Sequence, residues 1–252
     1  MPYRRLPNTD SARVRALKTI VEQGEQASDI LSLPYSLNML SKARNFLRRF
    51  EAAHRNYKVC YDEQSRSSAV HHEKSKHARL YVSHFVQVLN LAILREEIPR
   101  EAKTLYGLNP DNFNLPDLAS DASLCEWGQQ IIDGEQARIS QGGTPIYTPT
   151  IAKVKVFYDT FRESYERQKN YQRLTSKSLD EISALRPEAD EMLLDLWNGI
   201  EEKYMDIEPM EARLDVCRQF GIVYYYRSSE KRRMAMQKNQ TQLDLFDDLE
   251  NE

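Results

Sequence analysis

From Tyr35 to Ile98 the chain reads YSLNMLSKARNFLRRFEAAHRNYKVCYDEQSRSSAVHHEKSKHARLYVSHFVQVLNLAILREEI, without a glycine or a proline. Nothing in that stretch is a strong helix breaker. Its first arm places Leu40, Ala43, Leu47, Phe50, His54, Tyr57 and Tyr61 three and four residues apart, the spacing of one helical face. Its second arm carries a wider apolar face through Ala78, Val82, Phe85, Val86, Leu89 and Ile93. As a single helix the stretch would run roughly 95 Å at 1.5 Å per residue, long for a compact domain of this size. The polar cluster Ser65-Arg66-Ser67-Ser68 is therefore expected to turn the chain and lay the two arms antiparallel.

A second hairpin is expected over residues 149–204. Thr148-Pro149 has the form of a cap followed by proline at the first helical position. Ile151, Val154, Tyr158, Phe161, Tyr165 and Gln168 then repeat the helical spacing. Ser178-Leu179-Asp180-Glu181 has the form of a capping box, and Pro187 is expected to kink or restart the helix before Ala189, Met192, Leu193, Leu196, Trp197 and Ile200. The two hairpins predict a four-helix core inside an all-α bundle of five or six helices. A first helix capped by Thr9 or Asp10 and ending near Gln23, and a last helix from Pro209, complete it.

Pro99 to Pro149 is irregular, with one short helix expected at Asp121–Ile139 facing Leu124, Trp127 and Ile131 inward. Gln141-Gly142-Gly143-Thr144 reads as its stop. Beyond Gly221 the run Ile222–Tyr226 is β-branched and aromatic and is expected to extend, pairing with Pro145-Ile146-Tyr147 or with a second subunit. At most a minor β-ribbon results. The expected organisation is a bundle over residues 1–226 and a polar tail over residues 227–252.

The composition, 40% hydrophobic and 29% charged with a net charge of −3, is that of an ordinary soluble chain. The opening residues lack the apolar run of a signal peptide, and no segment nears the ~20 apolar residues of a membrane span. A cytoplasmic protein without membrane contact is expected. The three cysteines, 60, 125 and 217, lie too far apart for a CxxC site, and their odd number argues against a disulfide framework. No nucleophile elbow, phosphate-cradling glycine loop or Cys-His signature occurs, so the reading leans away from an enzyme.

Near the end stands Gln242-Leu243-Asp244-Leu245-Phe246. It resembles the short peptide with which bacterial replication and repair proteins dock onto the DNA sliding clamp: Gln, an aliphatic residue, Ser or Asp, then Leu-Phe. The resemblance implies that Leu245 and Phe246 fill an apolar pocket of the clamp, that Leu243 supports them and that Gln242 hydrogen-bonds at the pocket edge. Phe246 and Leu243 are equally placed to fold back on the bundle as an amphipathic turn. The helical chain ending in Gly-Ile-Val-Tyr-Tyr-Tyr-Arg, residues 221–227, also resembles bacterial proteins of uncharacterised function, and that resemblance implies no activity.

All five histidines fall between residues 54 and 84. If the hairpin turns near Ser67, His54 and His77 meet across it, and Glu51-Ala52-Ala53-His54 has the Glu-x-x-His spacing of carboxylate-bridged metal sites. No cofactor is required by the sequence, but a divalent metal held by Glu51, His54 and His77 is the alternative reading. A buried His54 bonded to a neighbouring tyrosine is the plainer one. A scaffold bundle dimerising through Ile222–Tyr226 is a third. Lys42, Arg44, Arg48, Arg49, Arg55 and Lys58 oppose a single acid, while ten acids lie between Ser178 and Glu208. Complementary helix faces explain this better than autonomous DNA binding, so DNA is expected to be met only indirectly.

Overall fold

The computed structural model describes residues 2–27, 33–230 and 232. The fold is all-α. Its named helices are α1 (Asp10–Gln26), α2 (Leu37–Leu94), a 3-10 helix (Arg100–Tyr106), α3 (Asp121–Ser140), α4 (Ile151–Lys203) and α5 (Met210–Gln219). The β content among the named elements is one antiparallel pair, β1 (Tyr3–Arg4) with β2 (Tyr224–Tyr225), in the register Tyr3 to Tyr225 and Arg4 to Tyr224. The extended run after Gly221 thus pairs with the amino-terminal segment of its own chain. Residues 145–147 are not the partner: Tyr147 bridges to Thr150 instead.

The two expected hairpins do not form. α2 is one helix of 58 residues, and the chain passes through Ser65–Ser68 without turning. Serine costs only a few tenths of a kcal/mol against alanine in a helix, far less than glycine or proline, so the polar cluster is no terminator. α4 is likewise one helix of 53 residues that carries Pro187 inside it. Ser178, expected to cap a new helix, lies mid-helix and donates to the carbonyl of Thr175 at 3.0 Å. The cap of α4 is Thr150, whose Oγ1 and carbonyl both accept from the Lys153 amide, two residues later than the Thr148-Pro149 reading placed it.

Other ends follow the sequence more closely. Thr9 is extended and its hydroxyl accepts from the Ala12 amide, starting α1. Ser120 does the same for α3 through Ser123. α1 continues past Gly24, because this glycine answers a packing need: a Cβ there would stand 2.8 Å from Leu40 Cδ1 and 2.9 Å from the Tyr35 hydroxyl.

The chain divides into two compact units, Met1–Asn56 with Leu179–Glu252, and Tyr57–Ser178, where one bundle over 1–226 was expected. The burial pattern of α2 gives the reason. Leu40, Ala43, Phe46, Leu47 and Phe50 are buried, as are Ala78, Val82, Phe85, Val86, Leu89, Ala92 and Ile93, but no residue from 51 to 70 is. In the first unit the buried set includes Leu17 and Ile20 of α1, Leu196, Trp197 and Ile200 of α4, and Leu214 of α5. In the second, Val82, Phe85 and Leu89 of α2 cluster with Tyr106, with Leu124 and Ile131 of α3, and with Val154, Tyr158 and Phe161 of α4. Each such side chain contributes roughly 1.5–3 kcal/mol on burial.

Candidate functional site

The residues singled out from sequence separate. Glu51 and His54 stand on α2 within the first unit, where His54 Nε2 lies 3.2 Å from the Ser11 hydroxyl of α1. His77 stands on the same helix within the second unit, its exposed ring 5.9 Å from that of Phe157. With no turn at Ser67, roughly six helical turns of continuous α2 part the two histidines, so the cross-hairpin pairing of the metal reading does not arise. Among the described residues, no group of three or more His, Cys, Asp or Glu side chains is placed to hold a metal ion. His54 has no tyrosine partner either; Ser11 takes that role. Gln242, Leu243, Asp244, Leu245 and Phe246 lie outside the described residues. Of the basic stretch, Arg44 pairs with Glu25 and Arg49 with Glu188, one of the ten acids on the other side of the charge split.

The second unit holds a cavity of about 880 Å³. Val88 and Ala92 of α2, Ile98 and Leu105 form apolar wall, and the segment from Gln141 to Tyr147 closes the other side. Behind it lies a buried charge network. Glu135 is wholly buried and Arg138 nearly so; Arg138 Nε and Nη2 each reach a Glu135 oxygen at 2.9 Å. Tyr106 donates its hydroxyl to Glu135 and accepts from Arg138 Nε at 2.9 Å. The Ile146 amide donates to Glu135 at 3.1 Å, and Arg138 Nη2 to the Thr144 carbonyl at 2.7 Å. α3 therefore grips the following segment through both its carboxylate and its guanidinium. Gly143 makes the grip fit, since a Cβ there would come within 2.7 Å of Arg138 Nη1 and 2.9 Å of the Arg138 carbonyl. Burial first, and then the bond to Glu135, hold the Tyr106 phenol well above its ordinary value.

This network was not anticipated from sequence. Its signal was Glu135 and Arg138 three apart on a helix beside Ile131 and Ile132, a spacing that on an exposed face would be an ordinary surface pair. Chemically the cavity is an apolar-walled groove with acidic edges. Arg138 is neutralised by Glu135, the remaining charges on the wall are Glu97 and Glu101, and the described lining includes no serine, cysteine or histidine. Tyr147, 71% exposed, stands on the rim and also lines a smaller cavity of about 440 Å³ with Leu80, Tyr81, His84 and Lys153.

A second buried polar cluster lies in the same unit. His71 is buried: Nε2 meets Asp121 at 2.9 Å and Nδ1 meets the Ser164 hydroxyl at 3.0 Å. Ser75 donates to the other Asp121 oxygen at 2.9 Å. Burial alone would raise the Asp121 carboxyl, but the bonds from His71 and Ser75 outweigh it and hold the carboxyl below its usual value. The Ser164 hydroxyl is spent on the Phe161 carbonyl at 2.7 Å, and the group lines no cavity described for the chain. It is a clasp between α2, α3 and α4.

Comparison with protein families, curated proteins and solved structures gives no match. No helix among the described residues is long and apolar enough to cross a membrane.

Proposed function

We propose that this is an interaction protein without catalytic chemistry of its own, carried to the DNA sliding clamp by Gln242, Leu243, Asp244, Leu245 and Phe246. The observation behind the reading is the agreement of all five residues with the clamp-docking peptide, in order and in spacing. One feature supports it. The cavity of about 880 Å³ in the second unit has the character of a groove for a partner: apolar walls, acidic edges and no serine, cysteine or histidine in its described lining. The clamp peptide would set where the protein acts, and the helical units would present a second surface there. The reading implies a cytoplasmic bacterial protein that meets DNA through the clamp.

The test is fluorescence anisotropy of a labelled Thr241–Glu252 peptide titrated with the sliding clamp of the source organism. Full-length protein and its Phe246→Ala variant serve as competitors. Micromolar binding, displaced by wild type and not by the variant, is the expected result; a free peptide that does not bind sinks the proposal.

A further inference from the structure

The first unit contains a different kind of cavity, of about 450 Å³, between the amino-terminal segment, the start of α1 and the run that leads into β2. Among the described residues its only charged lining residues are Arg5 and Arg15. Both are exposed, and neither has an ion pair or side-chain hydrogen bond among the described residues. The contrast within the unit is sharp: Arg13 and Arg186 are both bound to Asp10, and Arg13 also to Asp190. Two other cavities include carboxylates on their walls, Glu97 and Glu101 in one and Glu201 and Glu202 in the other, and the cavity beside Tyr147 has none but offers Lys153 and His84 in place of guanidiniums.

Three further features converge there. Trp197 lines the cavity, is 1% exposed, and its indole N–H has no hydrogen-bond partner among the described residues. A buried donor left unpaired costs about 1–3 kcal/mol, so such groups are normally met by a water or a ligand. The amino end of α1 opens on the same space through Thr9 and Ala12, adding the positive end of a helix of 17 residues. Tyr225, 46% exposed, adds an aromatic face; its ring sits 6.1 Å from that of Tyr3 at 33°. Two unpaired guanidiniums, an unpaired indole donor and an aromatic face, without an acid on the wall, select a ligand that is anionic at one end and planar at the other.

We infer that this cavity binds a nucleotide, with Arg5 and Arg15 holding the phosphate and Tyr225 stacking on the base. Guanidinium forks match phosphate oxygens in pairs, and base stacking on an aromatic side chain tolerates any base. The nucleotide is either free or one unit of a single strand; the recognition chemistry is shared. The inference goes beyond the clamp reading and does not depend on Phe246.

Two titrations of the full-length protein test it: isothermal calorimetry with thymidine and adenosine 5′-monophosphates, and anisotropy of a labelled twelve-nucleotide oligothymidylate. Micromolar to submillimolar binding is expected in at least one arm. The double variant Arg5→Gln/Arg15→Gln weakens it at least tenfold and lowers the salt slope by roughly 1.4, the share of two single-strand phosphate contacts. Tyr225→Leu weakens it by roughly tenfold through lost stacking. Because both arginines are exposed, the variants keep the wild-type melting temperature; Arg5→Gln alone repeats the test outside any helix. Equal affinity for monophosphate and oligonucleotide assigns a free nucleotide, and preference for the oligonucleotide assigns a strand. Absence of binding in both arms overturns the inference, as does undiminished binding by the double variant. Loss on Arg48→Gln/Arg55→Gln instead would move the contact to the basic stretch of α2 and overturn it equally.

Discussion

Each unit contains an arginine–carboxylate network that joins segments distant in sequence, yet the two have different energetics. In the second unit Glu135 and Tyr106 are fully buried and Arg138 is 7% exposed. In the first, Asp10 receives Arg186 at 2.8 and 2.9 Å and Arg13 at 3.3 Å, while Arg13 reaches Asp190 at 2.8 and 2.9 Å, and Arg186 and Asp190 are about one-third exposed. The same chemistry therefore serves as an all-or-none lock in one unit and as a screened tether in the other. Burial strengthens attraction between charges and also the penalty for separating them, whereas solvent weakens both.

The largest expected effect tests the lock. Glu135→Leu strands the Arg138 charge and should cost roughly 3–5 kcal/mol in urea unfolding. Adding Arg138→Met should restore most of the loss, because replacing a buried pair whole is far milder than breaking it. A single variant near wild-type stability would mean that water reaches the network. The tether is next: Asp10→Ala should cost about 1–2 kcal/mol and become milder with added salt, whereas the cost of Glu135→Leu should be insensitive to salt.

Alkaline pH gives a smaller, graded effect. Burial pushes the Tyr35 phenol up to about 12, its hydroxyl donating to the Ile20 carbonyl at 2.7 Å, and Tyr106 is raised too. The folded state favours the protonated phenol, so this stability is whole below the ordinary value of 10.0 and falls as pH rises toward about 12. Denaturation midpoints from pH 8 to 12 should decline beyond 10, and Tyr35→Phe should flatten part of that decline. The least effect is expected from Phe246→Ala, within about 0.5 kcal/mol of wild type by thermal melting. A clear drop would put the tail among the packed elements of the first unit.

Much of the helical content was legible because it rests on local signals. Thr9 caps α1, α3 runs within a residue of expectation, α5 follows Pro209, and the apolar spacings of Ala78–Ile93 and Ala189–Ile200 mark buried faces. The hairpins rested on length: one helix over residues 35–98 is long for a compact domain of this size, and that alone placed a turn at Ser65–Ser68. Nothing in Ser65–Ser68 ends a helix, and the middle of α2 covers no apolar core at all. The metal reading of Glu51, His54 and His77 fell with that turn. Glu135 and Arg138 escaped notice because the depth of a helix face depends on what lies across it, here Tyr106 and the Ile146 amide, which no local spacing reveals.

The polar centre of the long helices has a kinetic consequence. Gln168, Thr175 and Ser178 are the buried positions of α4 between Ser164 and Ile182, and Thr175 donates to the Cys60 carbonyl of α2 at 3.1 Å. With no buried side chain from 51 to 70, the amides there are guarded by the helix ladder and little else. Deuterium should therefore enter α2 first in its middle, well before the stretches around Phe50 and Phe85, reversing the usual order in which a helix frays from its ends.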